Sequence, residues 1–87
     1  EFVVYTYTET PLDVGDDVPH AIRYTVHLHW VFPWRPGITA TPEVKDKKKK
    51  INRALVKAGL TYPTVTSAGN DQWAELVFET EYLDGNV

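Results

Sequence analysis

The sequence predicts an α+β domain: a mostly antiparallel four-stranded sheet in β-β-α-β-β order, with one helix packed on one face. Three observations carry this. A run of strict alternation fills Ala21 to Phe32, a single segment of helical periodicity follows "TPEV", and a second alternating run closes the chain from Gln72 to Tyr82. With 87 residues there is room for one small domain and no more, so residues 1–87 are read as a single unit. Chains of this size bury only roughly 60% of the surface they expose when unfolded. Stability is expected to be small, or supplemented by partners.

Each element has its own signal. Phe2 to Thr8, "FVVYTYT", is β-branched and aromatic and reads as a strand. "ETPLDVGDDVPH" carries two Pro, one Gly and three Asp, and reads as a loop that includes His20. In the next strand Ile22, Tyr24, Val26, Leu28, Trp30 and Phe32 point one way, and Arg23, Thr25, His27 and His29 the other. "PWRPG" stops it, because proline removes ladder donors. Thr41 is then placed as an N-cap, with Pro42 at the first helical position and Glu43 at the positive dipole end. Val44, Ile51, Ala54, Leu55 and Ala58 are expected on one buried stripe, and Gly59 as the stop. "TYPTVTS" reads as a short strand and "AGND" as a turn. The last strand turns Ala74, Leu76, Phe78 and Tyr82 to one face and Glu75, Glu79 and Glu81 to the other. By parity Trp30 belongs to the core; Trp34 is expected to be exposed or interfacial.

Composition narrows the function. There is no Cys, which removes disulfides and thiolate metal sites. No apolar run approaches the ~20 residues of a membrane span. The N-terminus lacks the basic head and apolar run of a signal peptide. There is no Met, and the chain opens on what reads as a strand, so the native N-terminus is expected to be missing. Net charge is −3, unevenly spread: seven of nine basic residues lie between Lys45 and Lys57, while acids gather in Glu1–Asp17 and Asp71–Asp84.

His27 and His29 share a strand face and so are candidate metal ligands, but zinc wants a third or fourth ligand. Glu75 or Glu79 on a neighbouring strand could complete a site. Cross-strand His–carboxylate pairing explains the same residues without a metal, as does a subunit covering this face. Ser67 is the only serine, the acids are scattered, and there is no glycine-rich phosphate loop, so no enzyme is expected.

Lys45, Lys49, Arg53 and Lys57 repeat every four residues and form an all-positive ladder opposite the apolar stripe. Such repulsion costs a few tenths of a kcal/mol per pair and is tolerable on a salt-screened face. Two functional readings remain. Nucleic acid could bind the basic helix 45–57, with Trp34 and Arg35 as a stacking loop. Alternatively, the ladder could meet the acidic face (Glu75, Glu79, Glu81) or the Asp-rich loop of another copy, a heterologous contact that closes into a ring if the rotation allows. Lys45, Lys49, Arg53, Lys57, Glu75, Glu79, Glu81 and Trp34 are the candidate interface residues.

The run "KKKKINRALVKAGLTYPTV" with "WAELVFETEYL" resembles the C-terminal half of small tail proteins of long-tailed bacteriophages and prophages. The matching residues are Lys48 to Leu60, Trp73, Phe78, Glu79, Glu81 and Tyr82, and the opening "VVYTYTE" resembles that family's first strand. The resemblance implies a tail-terminator or tail-completion protein, an α+β subunit assembling as a ring, typically a hexamer, that contacts tail or head–tail connector proteins. It implies residence in the virion tail, and in the bacterial host cytoplasm during assembly. It implies no enzymatic activity, no membrane partner and no cofactor.

Overall fold

A computed structural model describes residues 1–15 and 18–84, with side chains described for 1–12 and 21–84. Four strands and one helix are arranged as the sequence predicts. They are β1 (Phe2–Gly15), β2 (Val18–Pro33), α1 (Pro42–Lys57), β3 (Thr64–Gly69) and β4 (Trp73–Asp84), with a 3₁₀ turn at Ile38–Ala40 that the sequence reading had not marked. The sheet order is β1-β2-β4-β3, and every neighbouring pair is antiparallel.

The first departure from expectation is the loop. Residues 9–15 and 18–20 are ladder, not loop: β1 and β2 pair from Phe2↔Val31 to Gly15↔Val18. His20 therefore belongs to β2, while Asp16 and Asp17, also within the expected loop, lie outside the described residues. The prolines mislead because of where they sit. Pro11 is on β1, an edge strand, and Pro19 lies beyond Ile22↔Asp84, the last β2–β4 pair among the described residues. At an edge the missing N–H need not break a ladder. The result is a long hairpin that sets the molecular dimensions, 55 × 24 × 17 Å.

The helix boundaries hold, with two corrections. Thr41 is the N-cap residue, but its hydroxyl donates to the Ile38 carbonyl at 2.7 Å and caps nothing in α1. The 3₁₀ turn before it competes for that group. Ala54 and Ala58 are exposed; the buried stripe is Val44, Ile51, Asn52 and Leu55 instead. Asn52 takes the place expected for an apolar residue, its Nδ2 donating to the Tyr62 hydroxyl at 3.4 Å. The stop at Gly59 is a Schellman motif. The Gly59 N–H donates to the Val56 carbonyl, the Leu60 N–H to the Leu55 carbonyl, and Gly59 has φ +96°.

The core gathers at one end. Trp30, Phe32, Ala74, Leu76 and Phe78 from β2 and β4 meet Val44 of α1, with Leu28, Ile38, Ile51, Leu55 and Val65 around them. Trp30 is 2% exposed and Phe78 is fully buried, as their parity demands. Thr80 extends the core toward the chain segment after the helix. Its hydroxyl donates to the Thr61 carbonyl, so the Thr61 hydroxyl is left to donate to Thr80 Oγ1 at 3.1 Å. The Glu81 N–H donates to Thr61 Oγ1, and the Thr61 N–H to the Glu81 carbonyl, clamping that segment to β4.

Candidate interaction surfaces

Strand register determines what each face of the sheet presents. On the helix-side face, β2 extends past the end of α1, and the residues beyond the core are tyrosines. Tyr24 faces Tyr82 across the β2–β4 pair, and Tyr7 sits diagonally across the β1–β2 pair. Their rings stand in a row, tilted to one another, Tyr7 to Tyr24 at 6.1 Å and Tyr24 to Tyr82 at 6.1 Å between centroids. With Tyr5, Val26 and Leu60 they line an open groove of about 530 Å³, with Glu9 and Asp84 among its walls. The Tyr24 phenol is held above its ordinary pKa, first by burial and then by the charges of Glu9 and Asp84. Parity places Tyr24 and Tyr82 on this face, but the groove also needs Glu9 in a strand, and the composition of residues 9–20 marks a loop there. The alternation of Tyr5, Tyr7 and Glu9 was the available signal.

The opposite face carries the histidines. His27 stands directly across from Glu79, with Nε2 and Oε2 3.7 Å apart. His29 Nδ1 lies 3.0 Å from Glu75 Oε1. The cross-strand pairing read from the sequence is therefore present. The two imidazoles are 6.5 Å apart between centroids, and among the described residues no three His, Cys, Asp or Glu side chains gather as a metal's ligands do. Around these pairs the face is mixed and open: Thr6, Thr8, Thr25 and Glu81 share it with Phe2, Val4, Trp73 and Leu83, the last four all exposed. Among the described residues no helix covers it, since α1 and the 3₁₀ turn both pack on the other side.

The basic ladder stands where periodicity puts it. Lys45, Lys49, Arg53 and Lys57 are exposed on α1, and none forms an ion pair with a described residue. Glu75 and Glu79 are already engaged by histidines, on the face turned away from α1, and Glu81 is exposed on that same face. Within one molecule the ladder and the three glutamates are thus not brought together.

The Trp34 side chain is exposed, as expected, and its backbone N–H donates to the Gln72 carbonyl at 3.0 Å. Trp34 and Arg35 border a second groove of about 450 Å³ with Lys47, but also with Glu1 and Glu43. One cluster there was invisible in sequence. Glu1 Oε2 accepts from Trp30 Nε1 at 2.7 Å and from Lys47 Nζ at 2.9 Å, and Lys47 lies 4.8 Å over the Trp30 ring. Both donors hold the Glu1 carboxyl below its ordinary pKa, Lys47 more than Trp30. No spacing rule links positions 1, 30 and 47; only the fold does.

No helix is long and apolar enough to cross a membrane among the described residues. No protein-family model, curated protein or solved structure matches this chain.

Proposed function

We propose that this chain is a structural subunit of a bacteriophage or prophage tail, of the tail-terminator or tail-completion type, that works by assembling with copies of itself into a ring. The observation that carries the reading is the incomplete second layer. One helix covers one end of one sheet face, and the described residues supply no element for the rest. A sheet normally buries its apolar faces against another layer, and clustered exposed apolar side chains mark interaction surfaces. The edge strand β1 adds to this. Phe2, Val3, Val4, Tyr5 and Tyr7 are exposed along it, with no Lys to blunt the edge. The resemblance of Lys48 to Leu60, Trp73, Phe78, Glu79, Glu81 and Tyr82 to tail proteins supplies the biological setting.

The test is mass in solution by light scattering, at low and high salt and over a range of protein concentration. A discrete closed oligomer of about six copies is expected. A monomer throughout that range defeats the proposal.

The unpaired basic ladder favours one second reading, binding to nucleic acid. Glu1 and Glu43 beside Trp34 and Arg35 oppose a phosphate backbone there. Affinity for a single-stranded oligonucleotide that falls steeply with added salt would support it.

A further inference from the structure

Resting on the assembly reading, we propose that the tyrosine groove is the receptor for the basic ladder of a second copy: Arg53 and Lys57 of one molecule dock against Tyr5, Tyr7, Tyr24 and Glu9 of the next.

The chemistry of the groove selects a cation. Aromatic faces attract ammonium and guanidinium groups through the ring quadrupole, more strongly once water is displaced. Here three rings stand in a row with two carboxylates, Glu9 and Asp84, in the same walls. The raised pKa of the Tyr24 phenol has those two carboxylates among its causes, after burial, so negative potential reaches into the groove. An anionic ligand is disfavoured by the same charges.

The molecule carries the complementary part elsewhere. Lys49, Arg53 and Lys57 are spaced one helical turn apart, exposed, and unpaired among the described residues. Val56 beside them is also exposed and can add apolar contact. Among the described residues no cation of the same chain fills the groove. Ala58 and Leu60 border it, Lys57 does not, and the cation–π contact described is that of Lys47 with Trp30. A groove on one patch and a ladder on another make a head-to-tail contact, the kind that propagates to a ring. On this proposal the acidic partner of the helix is the groove, in place of the Glu75, Glu79, Glu81 face or the Asp-rich loop that the sequence suggests.

Two neutralised variants of the full chain test this. A helix variant carries Lys49→Gln, Arg53→Gln and Lys57→Gln. A groove variant carries Tyr5→Ser, Tyr7→Ser and Glu9→Gln, all at exposed positions so that folding is spared; circular dichroism verifies it. Each variant alone is expected to lose the oligomer, with association weakened at least about tenfold, which is the scale of a single lost cation–π or charge contact when desolvated. Mixed in equal amounts, they retain one good groove and one good helix between them. The mixture is expected to form a heterodimer that grows no further. If either folded variant alone keeps the oligomer of the parent chain, or if the mixture stays monomeric, the groove–ladder contact is wrong, and the ring proposal stands on other surfaces. If the parent chain is itself a monomer, both proposals fall together.

Discussion

His29 and Glu75 are not partners in register, yet they make the closer of the two imidazole–carboxylate contacts. His29 is opposite Val77, and Glu75 lies two residues along β4, but the side chains meet at 3.0 Å. His27 and Glu79 are directly opposite and remain 3.7 Å apart. Diagonal neighbours in an antiparallel pair come within reach of long side chains. A double-mutant cycle with His29→Thr and Glu75→Gln, followed by urea denaturation, is expected to give a coupling of about 0.2–1 kcal/mol. The same cycle on His27 and Glu79 is expected to give less. The reverse order would show that register outweighs distance here.

Among the described glycines, Gly69 is the least tolerant of a side chain. It has φ +118°, and a Cβ there would stand 2.3 Å from the Trp73 carbonyl oxygen and 3.2 Å from the Ala74 Cα. Gly37 has φ +74° and open space around it. Gly69→Ala is expected to cost at least the roughly 1–3 kcal/mol of a strained backbone, and Gly37→Ala about 1 kcal/mol. Equal losses of thermal stability in the two variants would contradict the crowding at the β3–β4 turn.

Buried polar groups make opposite predictions at two sites. Thr80 is almost wholly buried, and both hydrogen bonds of its hydroxyl are made with Thr61. Thr80→Val keeps the shape and leaves the Thr61 carbonyl unpartnered, a loss of about 1–3 kcal/mol. Asn52 is buried with Oδ1 unpartnered. Asn52→Leu removes that unsatisfied acceptor, so denaturation should show it neutral or stabilised by up to about 1 kcal/mol. A large loss in Asn52→Leu would mean that the Tyr62 contact holds the helix in place.

Two ionisations set opposite limits of pH. Glu1 has its pKa depressed by Lys47 and Trp30, so its contribution is present above the ordinary glutamate value of 4.5 and is lost as pH falls through the lowered one. Glu1→Gln should flatten that acid limb of the melting temperature. Tyr24 has its pKa raised, so its contribution is complete below the ordinary value of 10.0 and is lost as pH rises through the higher one. Tyr24→Phe should flatten the alkaline limb. Unchanged limbs in these variants would assign the pH dependence to other groups.

Much of this architecture was legible because its signals are local. Alternation over Ile22–Phe32 and Ala74–Phe78 gave the faces, and Pro42 and Gly59 bounded the helix. The extension of the hairpin through Pro11 and Pro19 was not legible. Composition marks a loop there, and only knowledge of which strands lie at an edge makes those prolines harmless. The substitution of Asn52 for Ala54 and Ala58 in the buried stripe was hidden for a related reason. Periodicity defines a helical face to within a residue or so, and the packing angle against the sheet decides which side of that face is covered. At the candidate sites the ladder followed from spacing, as did the polar faces of His27, His29 and the glutamates; which histidine meets which glutamate depended on β2 lying beside β4. The groove required the register of three strands at once.

The crowding of the core at one end of a 55 Å sheet gives the fold a direction. Stability is not shared evenly along such a shape; it is held like a beam clamped at one end. Around Trp30 and Phe78 a lost contact endangers the whole molecule. Toward Tyr24 and Ala21 the same loss loosens only the free arm. Binding a neighbour on that arm would brace it, so assembly and the completion of folding would be one event at the tyrosine end and two separate events at the other.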